Sequence, residues 1–190
     1  MKDKSHFFSW EQCKFSDFGS VAMCKRIFKT QTQIEGDIPF YKIGSFGGDA
    51  DAFISKDLFE EYKHKYPYPL KGDILISASG SIGKTVVFNG ENAYFQDSNI
   101  VWLNHNEQIS DDFLLPLYSI VKWNGIEGST IKRLYNSNFL NTEFFKPRIE
   151  EQIKIGSILG CIDDIITLHQ RKLELLKNTK KSLLNKMFPN

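Results

Sequence analysis

The segment whose spacing most resembles a chemical site is residues 78–85, Ala-Ser-Gly-Ser-Ile-Gly-Lys-Thr. It has the spacing of a nucleotide-binding P-loop, with alanine in place of the first glycine. A P-loop holds phosphate only if a helix begins directly after it, because the backbone N–H groups at the helix N-terminus bind the anion. Residues 86–90 are Val-Val-Phe-Asn-Gly, which is typical of a strand and a turn. The segment therefore predicts a loop between two strands, residues 73–77 and 84–88, and argues against nucleotide hydrolysis.

The same loop contains groups that suit phosphate or base edges. They are hydroxyl groups, one ammonium group and glycines that let a ligand approach the backbone: Ser77, Ser79, Ser81, Lys84, Gly80 and Gly83. Serine and glycine also form ordinary turns. The loop alone leaves a binding role and a structural role open.

Other chemistry is not indicated by the sequence. Cys13, Cys24 and Cys161 lack the spacing of a zinc site, and the four histidines form no ligand pattern with them. Residues 44–48 do not match a dinucleotide fingerprint, and no nucleophile elbow, nuclease core or amino-methyltransferase tetrapeptide occurs. We therefore expect no metal, no cofactor and no catalytic site, and binding is the better hypothesis.

Composition is that of an ordinary globular protein. The chain has 190 residues and 21.9 kDa, with 41% hydrophobic and 25% charged residues, which excludes collagen-like and wholly disordered classes. The formal net charge of +1 does not by itself indicate a nucleic-acid or membrane partner. No apolar run approaches the length of a membrane span, and the N-terminus lacks a signal-peptide core, so we expect a cytoplasmic protein without a membrane partner.

Residues 8–146 alternate short apolar runs with Gly, Asn and Asp, which predicts strands and tight turns. Asn89-Gly90 predicts a type I′ hairpin, because that turn needs positive φ at both central residues. Residues 58–64 and 111–121 are typical of short helices, the second with Ser110 or Asp111 as its N-cap. The pattern predicts a mixed α+β domain.

A different pattern follows Pro147, with no further proline before Pro189. Apolar residues recur at intervals of three and four, which predicts one long helix with a hydrophobic stripe. The stripe, with one histidine in it, consists of Ile155, Ile158, Ile162, Ile165, His169, Leu173, Leu176, Leu183 and Met187. Such a helix would be on the order of 50 Å long. Its stripe needs either a partner helix or a surface of its own domain.

The predicted helix also contains a histidine within its apolar stripe and a cluster of basic residues near its C-terminus. We interpret His169 either as a polar residue that sets the register of helix pairing or as a partly exposed contact, and not as a metal ligand. From Arg171 to Asn190 there are six basic residues and one acidic residue, so the remaining chain sums to −4. The basic cluster predicts either contact with an acidic partner or a solvated face near the helix C-terminus.

Several stretches, in order, resemble the specificity (S) subunits of type I restriction-modification systems. They are residues 10–14 (WEQCK), 38–44 (IPFYKIG), 72–84 (GDILISASGSIGK), 128–130 (GST), Pro147 with 150–155 (EEQIKI), and 173–188. Residues 144–147 (FFKP) depart from the family, which often has an apolar residue and two prolines there. The chain is also short, because family members usually hold two recognition domains and two long helices.

The resemblance implies a β-rich target-recognition domain over residues 1–147 and a spacer and dimerisation helix over residues 148–190. In the family, two such helices pack as an antiparallel coiled coil and separate two recognition domains, each of which recognises part of a split DNA site. Methylation and cleavage belong to separate modification and restriction subunits. The second helix would come from another copy of this chain or from a missing second half.

The resemblance also implies DNA contacts from loops of the recognition domain. Arginine can bond guanine through two hydrogen bonds, and lysine acts as a point charge on phosphate. The candidates are Lys25, Arg26, Lys42, Ser77, Ser79, Ser81, Lys84, Ser129, Thr130, Lys132 and Arg133. Two alternative functions remain: a coiled-coil protein-interaction adaptor and a P-loop-like nucleotide-binding protein.

Overall fold

The computed structural model describes residues 10–126 and 132–188 of the chain. The strands are β1 (Glu11–Lys14), β2 (Gly19–Ala22), β3 (Ile38–Tyr41), β4 (Phe53–Ile54), β5 (Ile74–Ser77), β6 (Thr85–Val87), β7 (Tyr94–Phe95), β8 (Ile100–His105) and β9 (Glu143–Lys146). The helices are α1 (Lys56–Lys65), α2 (Asp111–Ile120), α3 (Asn136–Leu140) and α4 (Ile149–Met187). The predicted α+β class, with a β-rich head and one long C-terminal helix, is confirmed.

The strands among the described residues of the head form three small sheets. The largest has the order β2-β8-β5-β6 and is antiparallel throughout. A second sheet has the order β4-β3-β7, in which β7 pairs parallel with β3. The third is the β1-β9 ribbon, which joins the two ends of the head directly before α4 begins.

Two clusters of buried side chains fill the head. One surrounds Phe15, which stacks on Phe144 with ring centroids 4.5 Å apart. The other surrounds Tyr94, which is fully buried against residues of β3, α1 and β5. Strand β8 alternates its side chains between the two clusters, with Val101 in the first and Trp102 in the second. The period of two in a buried strand makes β8 the element that unites the head.

Helix α4 leaves the head instead of folding back along it. Its root packs on α2, where Gln152 and Gly156 are buried, but every residue from Ser157 to Phe188 is exposed. At 1.5 Å per residue its 39 residues extend about 58 Å. The alternative in which the hydrophobic stripe is covered by its own domain is therefore wrong. Within residues 10–126 and 132–188, none of the helices combines the length and the apolar composition that a membrane span requires.

The hairpin predicted at Asn89-Gly90 is wrong. Gly90 has φ of +91°, but Asn89 does not have the positive φ that a type I′ turn requires. The strand that follows, β7, pairs with β3 and not with β6. Burial of Tyr94 and Phe95 in the second cluster draws the chain away from β6, so tertiary packing overrides the local turn preference.

Candidate nucleic-acid interface

The loop between β5 and β6 is the turn of an antiparallel hairpin. Ser77 N donates to Lys84 O at 2.9 Å, and Gly83 N donates to Ser77 O at 3.0 Å. The Ser77 hydroxyl, almost fully buried, donates to Ser81 O and accepts from Lys84 N at 3.0 Å. Ser77 thus shapes the turn, and its hydroxyl is already occupied. The strand after the loop excludes the helix that a P-loop needs.

Lys84 attaches this hairpin to the rest of the head. Its ammonium group donates to Phe46 O and lies 6.0 Å from the centroid of the Phe46 ring. Gly47, with φ of +72°, passes so close that a Cβ there would lie 2.9 Å from Lys84 Cε. The lysine predicted to contact DNA is therefore engaged by the protein itself.

A second segment pairs with the tip of the hairpin. Ser79 forms a β-bridge with Arg133, Gly80 N donates to Lys132 O at 3.0 Å, and Leu134 N donates to Ala78 O at 2.9 Å. Ser79 is buried by this pairing. Four predicted contact residues, two from each segment, consequently lie side by side: Ser79, Ser81, Lys132 and Arg133.

Beside this pairing lies a crevice of about 390 Å³, which we call the hairpin-tip crevice. Its walls come from the chain after β2, the turn before β8, and the segment that leads into α3. The lining residues are Met23, Ala78, Ser98, Arg133, Leu134, Tyr135, Asn136 and Ser137. Ser98 has φ of +60°, the one non-glycine residue with positive φ among those described. Arg133, Tyr135, Asn136 and Ser137 are exposed, and no described carboxylate lies within 4 Å of Arg133.

The other predicted basic contacts are engaged within the head. Arg26 Nε donates to Asp97 Oδ2 at 2.9 Å, next to Ser98 and so near the crevice. Lys42 Nζ lies 3.0 Å from Asp51, and their hydrogen bond lowers the pKa of the Asp51 carboxyl. Lys25 Nζ lies over the Tyr66 ring at 5.0 Å from its centroid. Lys25 and Arg26 remain exposed and Lys42 is half-buried, so these contacts orient the side chains without removing them fully from solvent.

The opposite end of β8 is acidic. A crevice of about 500 Å³ there is lined by Glu107, Asp111 and Asp112, together with His105. His105 Nε2 lies 2.9 Å from Asp111 Oδ1, and this hydrogen bond raises the pKa of the imidazole. The root of α4 lies at this end, since Gly156 contacts Asp112. The hairpin-tip crevice, which contains Arg133, therefore lies at the end of the central sheet away from α4.

Ser129 and Thr130, the remaining predicted contacts, lie outside the described residues. Sequence reasoning missed Ser98, Asn136 and Ser137, which are polar residues without a distinctive motif. They become candidate contact residues only because the fold brings them together in the hairpin-tip crevice. Among the described residues, no group of three or more His, Cys, Asp or Glu side chains is arranged so that it could hold a metal ion.

The predicted stripe on α4 is exposed except at its first member. Ile155 packs against the first core cluster, and so the exposed part begins at Ile158. His169 Nδ1 lies 2.9 Å from Ile165 O, within its own helix. The apolar surface is wider than the predicted stripe, because further large side chains flank it on both sides: Leu159, Ile166, Leu168, Leu175 and Leu184.

A family model described as the type I restriction modification DNA specificity domain matches residues 9–178. The chain belongs to this family. A putative type I restriction enzyme specificity subunit of Haemophilus influenzae is 57% identical over 153 residues, which are 80% of this chain and 40% of that protein. The putative MjaX specificity subunit of Methanocaldococcus jannaschii is 30% identical over 144 residues, covering 70% of this chain and 34% of that protein.

Solved structures of the same fold include two specificity subunits. The HsdS subunit from Thermoanaerobacter tengcongensis matches with a TM-score of 0.61 at 17% identity, over 99% of this chain and 47% of that one. The S subunit of a type I restriction-modification system from M. genitalium gives 0.62 at 14% identity, over 99% and 48%. The chain thus spans less than half the length of the relatives it matches.

Proposed function

We propose that this chain is a non-catalytic DNA-recognition component of a type I restriction-modification complex, acting in the cytoplasm. Its head recognises one part of a split DNA site, and α4 pairs with a second long helix. The observation on which this rests is the match of residues 9–178 to a DNA specificity domain. The names of the relatives, specificity subunits of type I restriction enzymes, support it.

The head presents its hairpin-tip crevice to DNA. Phosphate attracts cations, and Lys132 and Arg133 are exposed there without a described carboxylate beside Arg133. Arg133 and Asn136 have the two side-chain types that bond guanine and adenine, respectively, through paired hydrogen bonds. The acidic end of β8 would repel phosphate. Charge therefore favours one orientation of the head on the duplex.

Helix α4 pairs antiparallel with an equivalent helix, from a second copy or from a second half of a longer chain. The exposed stripe from Ile158 to Met187 supports this, because a helix with an uncovered apolar face is stabilised by a partner. A rod of about 58 Å is long enough to hold two heads one duplex turn apart, roughly 34 to 36 Å. A pair of identical chains would favour a palindromic, interrupted site.

The width of the apolar face supports a further contact on α4. A two-stranded coiled coil covers mainly two stripes. Leu168 and Leu175 lie beside them and are exposed. The modification subunit would dock on this additional surface, and the restriction subunit would join through the assembled complex.

The two alternatives fit less well. The β-hairpin at residues 78–85 does not support nucleotide binding, since no helix follows it. A protein-interaction adaptor would also have a paired long helix. That function does not explain why the head, too, matches the DNA specificity domain.

The proposal is tested by adding the full chain to its modification subunit and measuring binding to duplexes that differ only in sequence. We expect the modification subunit alone to show no sequence preference, and the chain to confer one. Binding that stays indifferent to sequence after the chain is added would overturn the proposal.

A further inference from the structure

The root of α4 is joined to the head by a fully buried glutamine. Gln152 Oε1 accepts from the backbone N–H of Ser110 at 3.1 Å, and Gln152 Nε2 donates to the carbonyl of Pro147 at 2.9 Å. Ser110 precedes α2, and Pro147 precedes α4. One side chain therefore satisfies polar backbone groups of both segments. A buried polar group left without such partners is costly, so the arrangement tolerates little displacement.

One helical turn further on, Gly156 brings α4 against α2. A Cβ at this position would lie 2.5 Å from Asp112 Cβ and 2.7 Å from the Asp112 carbonyl carbon and oxygen. Two of those atoms belong to the backbone, so a side chain here would force the helices apart. Glycine is disfavoured inside helices, but at position 156 it allows the backbones of α4 and α2 to approach closely.

Gly160, one turn beyond, is different. A Cβ there would meet nothing within 4 Å. The same helix thus contains a glycine that is required by contact and a glycine that is not. The pair provides a matched control for any effect of replacing glycine in α4.

We propose that Gln152 and Gly156 are positioning residues that fix the angle between α4 and the head. This rests on the proposed function for its consequence: the angle determines where each head meets the duplex, and hence the length of the gap between half-sites. Ile155 packs between them against the first core cluster. Trp10 Nε1 donates to Glu151 at 3.3 Å on the neighbouring turn. The joint is therefore braced on more than one side.

The effect of the joint grows along the rod. Lys177 lies roughly 30 Å along the helix axis from Gly156, so a tilt of about 10° moves it by about 5 Å. A small separation of α2 and α4 would shift the far end of the rod by more than the rise of one base pair, about 3.4 Å.

The test measures this angle without DNA. Spin labels on Lys56→Cys in α1 and Lys177→Cys in α4, in a Cys161→Ser background, report one distance within the full chain. Excess unlabelled chain keeps a single labelled copy in each assembly. Cys13 and Cys24 are buried and leave the two introduced thiols as the accessible sites. Gly156→Ala and Gln152→Ala are compared with Gly160→Ala.

We expect Gly156→Ala and Gln152→Ala to shift or broaden the distance by several ångström, and Gly160→Ala to leave it unchanged. Unchanged distances in both joint variants would overturn the proposal, as would an equal change in Gly160→Ala.

The same variants, assembled with the modification subunit, are then offered duplexes that carry both half-sites with different gaps. We expect the preferred gap to shift or broaden for the joint variants only. A changed angle with an unchanged gap preference would overturn the link between angle and gap. If the unsubstituted complex showed no sequence preference at all, the proposed function would fail, while the distances would still decide whether the joint sets the angle.

Discussion

At the scale of single residues, two lysines that the sequence marks equally are placed in different environments. Both are exposed, but Lys84 donates to Phe46 O and holds the hairpin to the head, whereas Lys132, at the hairpin tip, forms no ion pair among the described residues. Their residue type and their loop composition are similar, so the sequence could not separate them. Only the fold of residues 42–48 around the Lys84 ammonium group makes the distinction.

Substituting these lysines should therefore give different results. Lys132→Ala in the assembled complex should weaken DNA binding similarly for all sequences and reduce the slope of log K against log salt concentration by about one, because one phosphate contact is lost. Lys84→Ala should instead lower the free energy of unfolding by about 1 kcal/mol, because a hydrogen bond within the head is lost.

The measurements are salt-dependent binding and denaturant unfolding on both variants. Lys56→Ala, an exposed lysine of α1 that forms no ion pair among the described residues, is the matched control. A salt slope that is unchanged by Lys132→Ala would show that the hairpin tip does not face the phosphates.

At the scale of elements, the sequence predicts what is periodic and misses what depends on distant contacts. Helix α4 was predictable because its apolar residues recur over many turns, and β5 and β6 because short apolar runs flank a small-residue loop. The Asn89-Gly90 turn was not, because parallel pairing of β7 with β3 depends on a partner far away in the sequence. The hairpin-tip crevice was missed for the same reason, since Ser98 and Asn136 meet only in the folded head.

The exposed apolar stripe of α4 should be the surface on which two long helices pair. The double substitution Ile162→Glu and Ile165→Glu should abolish pairing of long helices, because burying unpaired carboxylates in an apolar seam is costly. Sedimentation velocity on the full chain should then show only the slower species. Thr167→Glu with Asn178→Glu, at exposed positions of the same helix outside the stripe, should leave pairing intact. Pairing that survives in the stripe variant would locate the seam elsewhere on α4.

At the scale of the whole molecule, the head and the long helix α4 differ in both charge and shape. The residues before Arg171 sum to −4, while the end of α4 is strongly basic. Among the described residues of the head, Lys132 and Arg133 lie at one end of the central sheet, whereas Glu107, Asp111 and Asp112 lie at the end next to α4. A molecule of this kind depends on assembly, because one head offers little charge for the duplex and one rod leaves its apolar face in water.

The isolated chain should accordingly bind DNA weakly. Phosphate neutralisation dominates affinity, and a net acidic head supplies little of it. Fluorescence anisotropy with a labelled duplex should show a large gain in affinity when the modification subunit is added. Tight, salt-sensitive binding by the chain alone would mean that its basic surface is larger than the hairpin tip.

The most direct test of the account is selection from random duplexes by the complex of the full chain with its modification subunit. The enriched sequences should contain two defined blocks separated by an undefined gap of constant length, comparable to one duplex turn. Enrichment of a single uninterrupted block, of two blocks at variable separation, or of no sequence would contradict it.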